Sequence, residues 1–297
     1  SLFANKHIFL LGPPGVSKTG TLGIFATCID DGNIFEVCVK DDTKYEEIFG
    51  DTYRDPSGKL NCDFTDSIVY SHMGIIDEVW KGNSKVMNSL LSITSESRTA
   101  FVNGVGKVKS PLIMVMAASN ELPEDDALDA LNDRFVVRVK VKRIEDDDKW
   151  LRFIDKKYDT NPILSTKFKP KEIAHVFKEI QERVLFKKEI LFLLLMIKKI
   201  ALVQKLKMSD RRFSGAAEII KTSAFLNNRI EVNKSDLFIL LHILWTSDNE
   251  IKIVEKLIFE ALFGKVDSIS IKISANEEKM RELNSKTKGY FHDFLNF

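Results

Sequence analysis

Cysteine is scarce: Cys28, Cys38 and Cys62 are the only three, and their spacing matches neither a zinc ribbon nor a CxxC redox pair. Five scattered histidines add no metal-binding cluster. Reduced, buried thiols in a cytoplasmic protein are therefore expected. An excess of one charge is also lacking, since 44 basic and 43 acidic residues leave a net charge of +1. That balance provides no permanent hold on nucleic acid or on an anionic membrane. The most apolar stretch, Ile190 to Ile197, is flanked by lysines and falls short of the ~20 residues a membrane span needs. It reads as a core helix. No charged-then-apolar leader opens the chain at Ser1, which argues against secretion while leaving an upstream segment open. No repeat or low-complexity tract is found.

The 297 residues, 44% hydrophobic, suffice for two ordinary domains with separate cores. The first half alternates β-branched apolar runs with helical stretches, the rhythm of βαβ units around a parallel sheet. Candidate strands are His7–Leu11, Ile34–Val39, Met73–Ile76, Leu112–Ala118 and Phe135–Val141, with helices over Thr19–Ile29 and Val86–Ile93. Asp51 to Thr65, holding Asp55-Pro56-Ser57-Gly58, reads as a turn-rich aperiodic insertion, and Ala100–Val108 as a hairpin turning at Asn103-Gly104. After Arg143 the strand pattern stops. From Glu172 helix follows helix, with apolar Ile190–Leu202 and Leu237–Trp245 and a shorter Ala216–Leu226. The expected division is an α/β domain over 1–145, an α-helical lid over 146–250 and a tail over 251–297 that could open a further domain. Within the tail, Ser268–Ile273 alternates like a strand and Glu277–Lys288 is polar and charged.

Gly12-Pro13-Pro14-Gly15-Val16-Ser17-Lys18-Thr19 follows an apolar strand and opens a helix. Successive backbone N–H groups and the helix N-terminus in that context cradle phosphates. Lys18 would place its ammonium on the β- and γ-phosphates of ATP, and the Thr19 hydroxyl would ligate Mg²⁺. Ser17 stands where such loops have glycine, and it bears on nucleotide affinity because the backbone must approach the phosphates closely. At Gly74-Ile75-Ile76-Asp77-Glu78 a buried strand ends in two carboxylates. Asp77 would hold the metal and Glu78 would act as the base toward the lytic water. Asn120 ends another buried strand, and its amide both donates and accepts hydrogen bonds, as a bridge between γ-phosphate and water requires. Arg134 follows a short helix before the fifth strand. It could reach into a neighbouring subunit's site as a charge-stabilising finger, or pair with Asp133 on the surface.

At these residues the chain resembles the MoxR branch of the AAA+ ATPases, and more narrowly its RavA-like group. The resemblance runs from about His7 to about Asp248. It rests on Gly12–Thr19, Glu46-Glu47-Ile48-Phe49-Gly50, Ile76–Lys81, Asn88-Ser89-Leu90-Leu91, Ala117–Pro123 and Asp133-Arg134. In the helical half it rests on Ser209-Asp210-Arg211-Arg212-Phe213, Ser223-Ala224-Phe225 and Asp236-Leu237. It implies a P-loop three-layer sandwich of sheet order 5-1-4-3-2 with a helical lid, assembled into a hexameric ring with ATP and Mg²⁺ at the subunit junctions. Lys18, Thr19, Asp77, Glu78 and Asn120 would act within one subunit and Arg134 in the next. Arg211 on the lid would contact the γ-phosphate, with Arg212 as the other candidate. The resemblance also implies a partner with a von Willebrand factor A domain and chaperone-like remodelling of client proteins. Ser95-Glu96-Ser97-Arg98 departs from the relatives' shorter Asn-Glu-Arg step. The helix that precedes strand one in relatives and walls the adenine pocket has no counterpart after Ser1.

Three functions compete. The leading one is an ATP-driven remodeller in which the lid rotates against the sheet and moves the Ala100–Lys109 and Asp51–Thr65 loops on a client. The second is a nucleotide-gated scaffold with little turnover, which Ser17 would favour. The third is a DNA motor, for which Lys107 and Lys109 are the sole argument. Trp80 and Trp245 read as packing anchors, Asp146–Asp148 as a solvated linker face, and His72 and His242 as core or boundary residues.

Overall fold

The computed structural model describes residues 1–102, 105–155 and 166–264. The turn at Asn103-Gly104, the Thr160-Asn161-Pro162 stretch and the two tail segments at 268–273 and 277–288 lie outside them.

Five parallel strands form the central sheet: β1 Ile8–Leu11, β2 Ile34–Cys38, β3 Met73–Asp77, β4 Met114–Ser119 and β5 Val137–Lys140. Their order is β2-β3-β4-β1-β5, which read from the other side is the 5-1-4-3-2 expected. Every residue of β4 is buried, whereas β2 at the sheet edge alternates exposed and buried positions, as central and edge strands should. Alternation also splits the core. Phe9, Leu11, Ile76 and Ala117 face one apolar layer, while Leu10, Ile75, Met116 and Ala118 face the other. Helix α1, Lys18–Ala26, covers the second layer through Leu22 and Ala26. Helix α3, Ser84–Ile93, covers the first with Met87, Leu90 and Ile93, and Asn83 caps its N-terminus by accepting from the Lys85 amide. The short α2, Tyr45–Phe49, and α4, Asp129–Asn132, complete this half.

Asp51–Thr65 is not aperiodic. Strands Asp51–Arg54 and Leu60–Asp63 pair antiparallel around a turn pinned by Asp55, whose carboxylate accepts from the Ser57 and Lys59 amides and from Asn61. Its four-residue strands show little apolar alternation, so the turn chemistry dictates the hairpin. The second hairpin, Thr99–Val102 with Gly106–Lys109, is as expected.

The acidic linker contains helix α5, Asp147–Ile154, capped by Asp146. Just past the end of α1, Cys28 and Asp30 pair by backbone with Phe168. From there the chain enters α6 Pro170–Arg183, α7 Lys188–Val203 and α8 Asp210–Leu226. Leu237–Trp245, expected as an α-helix, falls largely within a 3₁₀ run, Lys234–His242. Three residues per turn align side chains at i and i+3, and this brings Leu237, Leu240 and Ile243, all fully buried, onto one line. Asp236 anchors the first turn by accepting from Arg229 (2.5 and 2.7 Å), Ser223 Oγ and the Asn233 amide. Helix α9, Ile251–Phe263, was not anticipated and packs on α7 and the 3₁₀ run.

One apolar cluster runs from the sheet through Ile180, Ile197, Ile220 and Trp245 into the helices. Trp80 packs edge-on against Phe9 and Phe135, so both tryptophans are anchors. His72 is half-buried and accepts from the Asn33 amide, while His242 is exposed. Cys28 is buried, but Cys38 is exposed because it sits on the edge strand. Among the described residues no helix is long and apolar enough to cross a membrane.

Candidate nucleotide site

All five strands are parallel, so their C-terminal ends share one edge, and the chemistry-bearing residues gather there. Leu11 ends β1 in register with Ser119, and the Gly12 amide donates to the Ser119 carbonyl at 3.2 Å. The loop thus begins against the end of β4. Gly12 is obligatory because a Cβ there would lie 2.4 Å from the Val141 carbonyl oxygen. Gly15 and Ser17 adopt left-handed backbones, at φ 80° and 56°, and the chain then enters α1. Alternation of hand along a short loop turns successive N–H groups inward as an anion-binding nest, and the α1 N-terminus adds its dipole. Glycine takes that backbone freely, whereas Ser17 holds it at a cost of about 1–2 kcal/mol.

Lys18 is buried, and its ammonium donates to the carbonyls of Gly12 (2.8 Å) and Pro13 (3.0 Å), so the cation lies over the loop. The Thr19 hydroxyl donates to Asp77 Oδ2 at 2.5 Å, placing a hydroxyl and a carboxylate side by side as an Mg²⁺ site requires. The Glu78 amide donates to the other Asp77 oxygen at 3.0 Å, and Glu78 itself is left-handed at φ 51°, a conformation uncommon outside glycine and often kept at functional positions. Two neighbours of Glu78 lie inside the motifs Ile76–Lys81 and Ala117–Pro123 but receive no role from the sequence. The Lys81 ammonium stands 3.4 Å from Glu78 Oε2, and Ser119 Oγ lies 3.5 Å from the same oxygen. Asn120 follows β4 at this edge and is exposed. The nest, the buried ammonium and the Thr19–Asp77 pair fit a nucleoside triphosphate with Mg²⁺.

Arg134 and Arg211 lie elsewhere. Both line a cleft of about 820 Å³ together with Asn5, Lys6, His7, His72, Leu112, Ile113 and Val136, residues that precede β1, β3, β4 and β5. This is the N-terminal edge, about 15 Å from the loop at ~3.3 Å per strand residue. The lid reaches it because α6 and α8 pack on the first four residues of the chain and Lys6 pairs with Glu218 of α8 at 2.9 Å. Burial, and the nearby Arg211, lower the pKa of Arg134.

Asp133 does not pair with Arg134. Its carboxylate turns to the lid, accepting from Ser209 Oγ at 2.7 Å and lying 3.2 Å from Arg212 Nε. The Ser209 oxygen at the same time accepts the Arg212 amide and caps α8. Both lid arginines reach Asp133 but differ in burial. The Arg212 side chain is 1% exposed and holds the lid down, while Arg211, with Nη1 3.7 Å from Asp133 Oδ2, is 52% exposed and lines the cleft with Arg134. Arg98, in the divergent Ser95–Arg98 step, ties this edge together by donating to the carbonyls of Asn5, Thr94 and Ile113. Burial pulls its pKa down to about 10.

Residues 1–167 match the family described as the MoxR domain in the MoxR-vWA-beta-propeller ternary systems, and 189–258 match an AAA lid domain. Uncharacterized protein MJ0079 of Methanocaldococcus jannaschii is 34% identical over 272 residues, covering 88% of this chain and 67% of that protein. Uncharacterized protein MJ0812 of the same organism is 34% identical over 273 residues, covering 88% and 69%. The crystal structure of a presumed ATPase from Cytophaga hutchinsonii superposes with a TM-score of 0.66 at 16% identity, over 86% of this chain and 85% of that one. That likeness concerns the fold. With the nucleotide loop, the paired carboxylates and the helical lid in place, the chain belongs to the MoxR family of AAA+ ATPases.

Proposed function

We propose that the chain is an Mg²⁺-dependent ATPase working at the junctions of a hexameric ring, where it remodels client proteins together with a partner carrying a von Willebrand factor A domain. The observation that carries this reading is the separation of the machinery: Lys18, Thr19, Asp77, Glu78 and Asn120 sit at one edge of the sheet, Arg134 and Arg211 at the other. Parts that cannot meet within one protomer meet when copies stack edge to edge, a heterologous contact that closes into a ring. The description of the matched family supports the partner. The RavA-like likeness rests on the motifs alone.

In this reading residues 1–145 bind nucleotide and 146–250 form the lid, with α9 packed onto it as the first element of the 251–297 tail. Gly12 to Thr19 hold the phosphates, and Mg²⁺ held by Thr19 and Asp77 would neutralise charge on their oxygens. Glu78 accepts the proton of the attacking water, Asn120 orients that water, and Lys81 stands 3.4 Å from the Glu78 carboxylate. Arg134 and Arg211 of the adjacent copy steady the transferring phosphoryl charge, and losing such a finger costs ~10³–10⁵ in rate. The lid is held at Lys6–Glu218, Asp133–Arg212 and Lys140–Asp248 and shares the sheet's apolar core. Motion passed to a client is therefore better carried by whole protomers turning at their junctions than by a lid swinging free. Lys107 lies over the Phe101 ring and Lys109 donates to the Ser97 carbonyl. The two hairpin lysines are thus engaged locally, which leaves little for DNA. Cytoplasmic location fits an ATP-driven machine.

Mixing dead variants tests the arrangement. Lys18→Ala protomers retain the arginines and Arg134→Ala protomers retain the loop, so each is inactive alone. A one-to-one mixture should regain about a quarter of wild-type turnover, because half of the loops are intact and half of their neighbours supply the arginine. No recovery in a mixture that does assemble would defeat the reading. The left-handed backbone of Ser17 favours a second one, a nucleotide-gated scaffold. It would show wild-type turnover no faster than that of Glu78→Gln while nucleotide still drives assembly.

A further inference from the structure

Helix α5 carries Trp150, Leu151, Phe153 and Ile154, a spacing that gathers four large apolar side chains on one side. Each is about half exposed or more, and no residue of α5 is buried. A two-turn helix keeps its shape through burial of its apolar face, and among the described residues nothing covers this one.

The position of α5 says what does. The Val141 amide donates to the Leu11 carbonyl at 2.7 Å, beside Gly12, and only residues 142–146 separate Val141 from α5. The helix therefore begins within about 20 Å of the nucleotide loop. Its flank, Glu145-Asp146-Asp147-Asp148, is four consecutive exposed carboxylates. At the opposite edge the cleft holds Lys6, which pairs with Glu218, and Arg98, Arg134, Lys171 and Arg211, against Glu96 as the one further acid. The two surfaces are complementary in charge, and no residue of α5 lines the cleft of its own molecule, so we take them to meet between molecules.

We propose that the apolar face of α5 docks on the Arg134 edge of a second copy of this chain, with its acidic flank facing the cations of that cleft. The proposal rests on the ring reading and deepens it, naming the contact that seats one copy's nucleotide loop against the next copy's arginines. Because the two surfaces differ, the contact is head-to-tail. Charge complementarity guides the approach and sets the partner, and the apolar face supplies the dry centre.

Trp150 is itself the probe. Its side chain is 49% exposed, whereas Trp80 is at 7% and Trp245 at 2%, so acrylamide quenching of the full chain reports mainly on Trp150. The experiment follows quenching, emission maximum and sedimentation of the 297-residue Glu78→Gln protein with Mg²⁺-ATP across dilution. We expect Trp150 to be open in the dilute protomer, then several-fold less quenchable and blue-shifted in the assembly. Trp150→Phe should remove that change while still assembling. Leu151→Glu with Ile154→Glu should leave the circular dichroism intact and raise the concentration needed for assembly at least tenfold. Assemblies whose Trp150 is as quenchable as in the protomer overturn the α5 contact and leave the ring. A protein that never assembles overturns both. Protection already present in the dilute protomer places another part of the same chain on α5 and overturns the proposal.

Discussion

Asp133 and Arg212 join the sheet to the lid: Arg212 Nε lies 3.2 Å from Asp133 Oδ1, and the guanidinium is almost wholly buried. Arg138, also fully buried, donates to the Asn132 carbonyl close by and has the nearby Asp133 carboxylate among its counter-charges. Burial and Arg212 lower its pKa, and Asp133 opposes them. Two buried guanidiniums, Arg138 and Arg212, depend on this carboxylate, and exposed Arg211 lies 3.7 Å from it. Asp133→Asn should therefore cost about 3–5 kcal/mol, the penalty for leaving a buried charge without its partner. Urea unfolding with fluorescence detection measures it, and a loss under 1 kcal/mol would show that other groups balance the pair.

Ser17 is held left-handed at φ 56° without capping α1 through its side chain. Ser17→Gly should raise unfolding free energy by about 1 kcal/mol by removing the Cβ penalty, and should tighten nucleotide binding. Calorimetric titration beside thermal melts checks both. Weaker binding would show that the serine hydroxyl, rather than backbone freedom, matters to the phosphates.

Gly12→Ala should behave oppositely. Its Cβ would stand 2.4 Å from the Val141 carbonyl oxygen, so the loop must pull away from β5, at a cost of about 1–3 kcal/mol. Nucleotide binding should fall by at least tenfold in the same titration, with the helical signal of the lid unchanged.

His7 predicts a pH dependence. It is fully buried, its Nδ1 accepts from the Val115 amide, and its Nε2–H donates to the Thr94 carbonyl. Burial above all, then the charge of Arg98, holds its pKa well below 6.5. The unfolded chain therefore binds a proton that the folded one refuses. The His7 contribution is complete above about pH 6.5 and is lost as pH falls below it, by at most about 1.4 kcal/mol per unit. Half-buried His72 adds in the same direction. Chemical denaturation of wild type and His7→Asn between pH 5 and 7.5 should show a shallower slope for the variant, and equal slopes would mean that His7 titrates alike in both states.

Much of this site is legible in the chain. Gly12–Thr19 is contiguous and its meaning is local, a strand, a tight loop and a helix start. Asp77 and Glu78 are legible because an apolar run stops at two carboxylates. The Asp51–Arg54 and Leu60–Asp63 hairpin escapes such reading, since its strands lack apolar alternation and a turn held by Asp55 shapes it. The 3₁₀ run over Lys234–His242 escapes because Leu237, Leu240 and Ile243 suit an α-helix as well as a 3₁₀ one, and tertiary burial chooses. Helix α9 escapes because lysines and glutamates stand among its apolar residues, and packing on α7 and the 3₁₀ run selects the face that is buried.

Sequence alone determined the candidate nucleotide residues, because short-range backbone geometry and a hydrophobic-to-acidic junction need no distant partner to be recognised. Which of two adjacent arginines faces the cleft was decided only in three dimensions. Asp133 meets Ser209, 76 positions further along the chain, and that contact accompanies the burial of Arg212 and leaves Arg211 at the cleft. The opposite placement of the loop and the arginines was decided there too. Arg134 stands at the N-terminal edge because it precedes β5, whereas Arg211 reaches it by the lid crossing there, a choice made by the packing of α6 and α8 on residues 2–6 that no local pattern encodes.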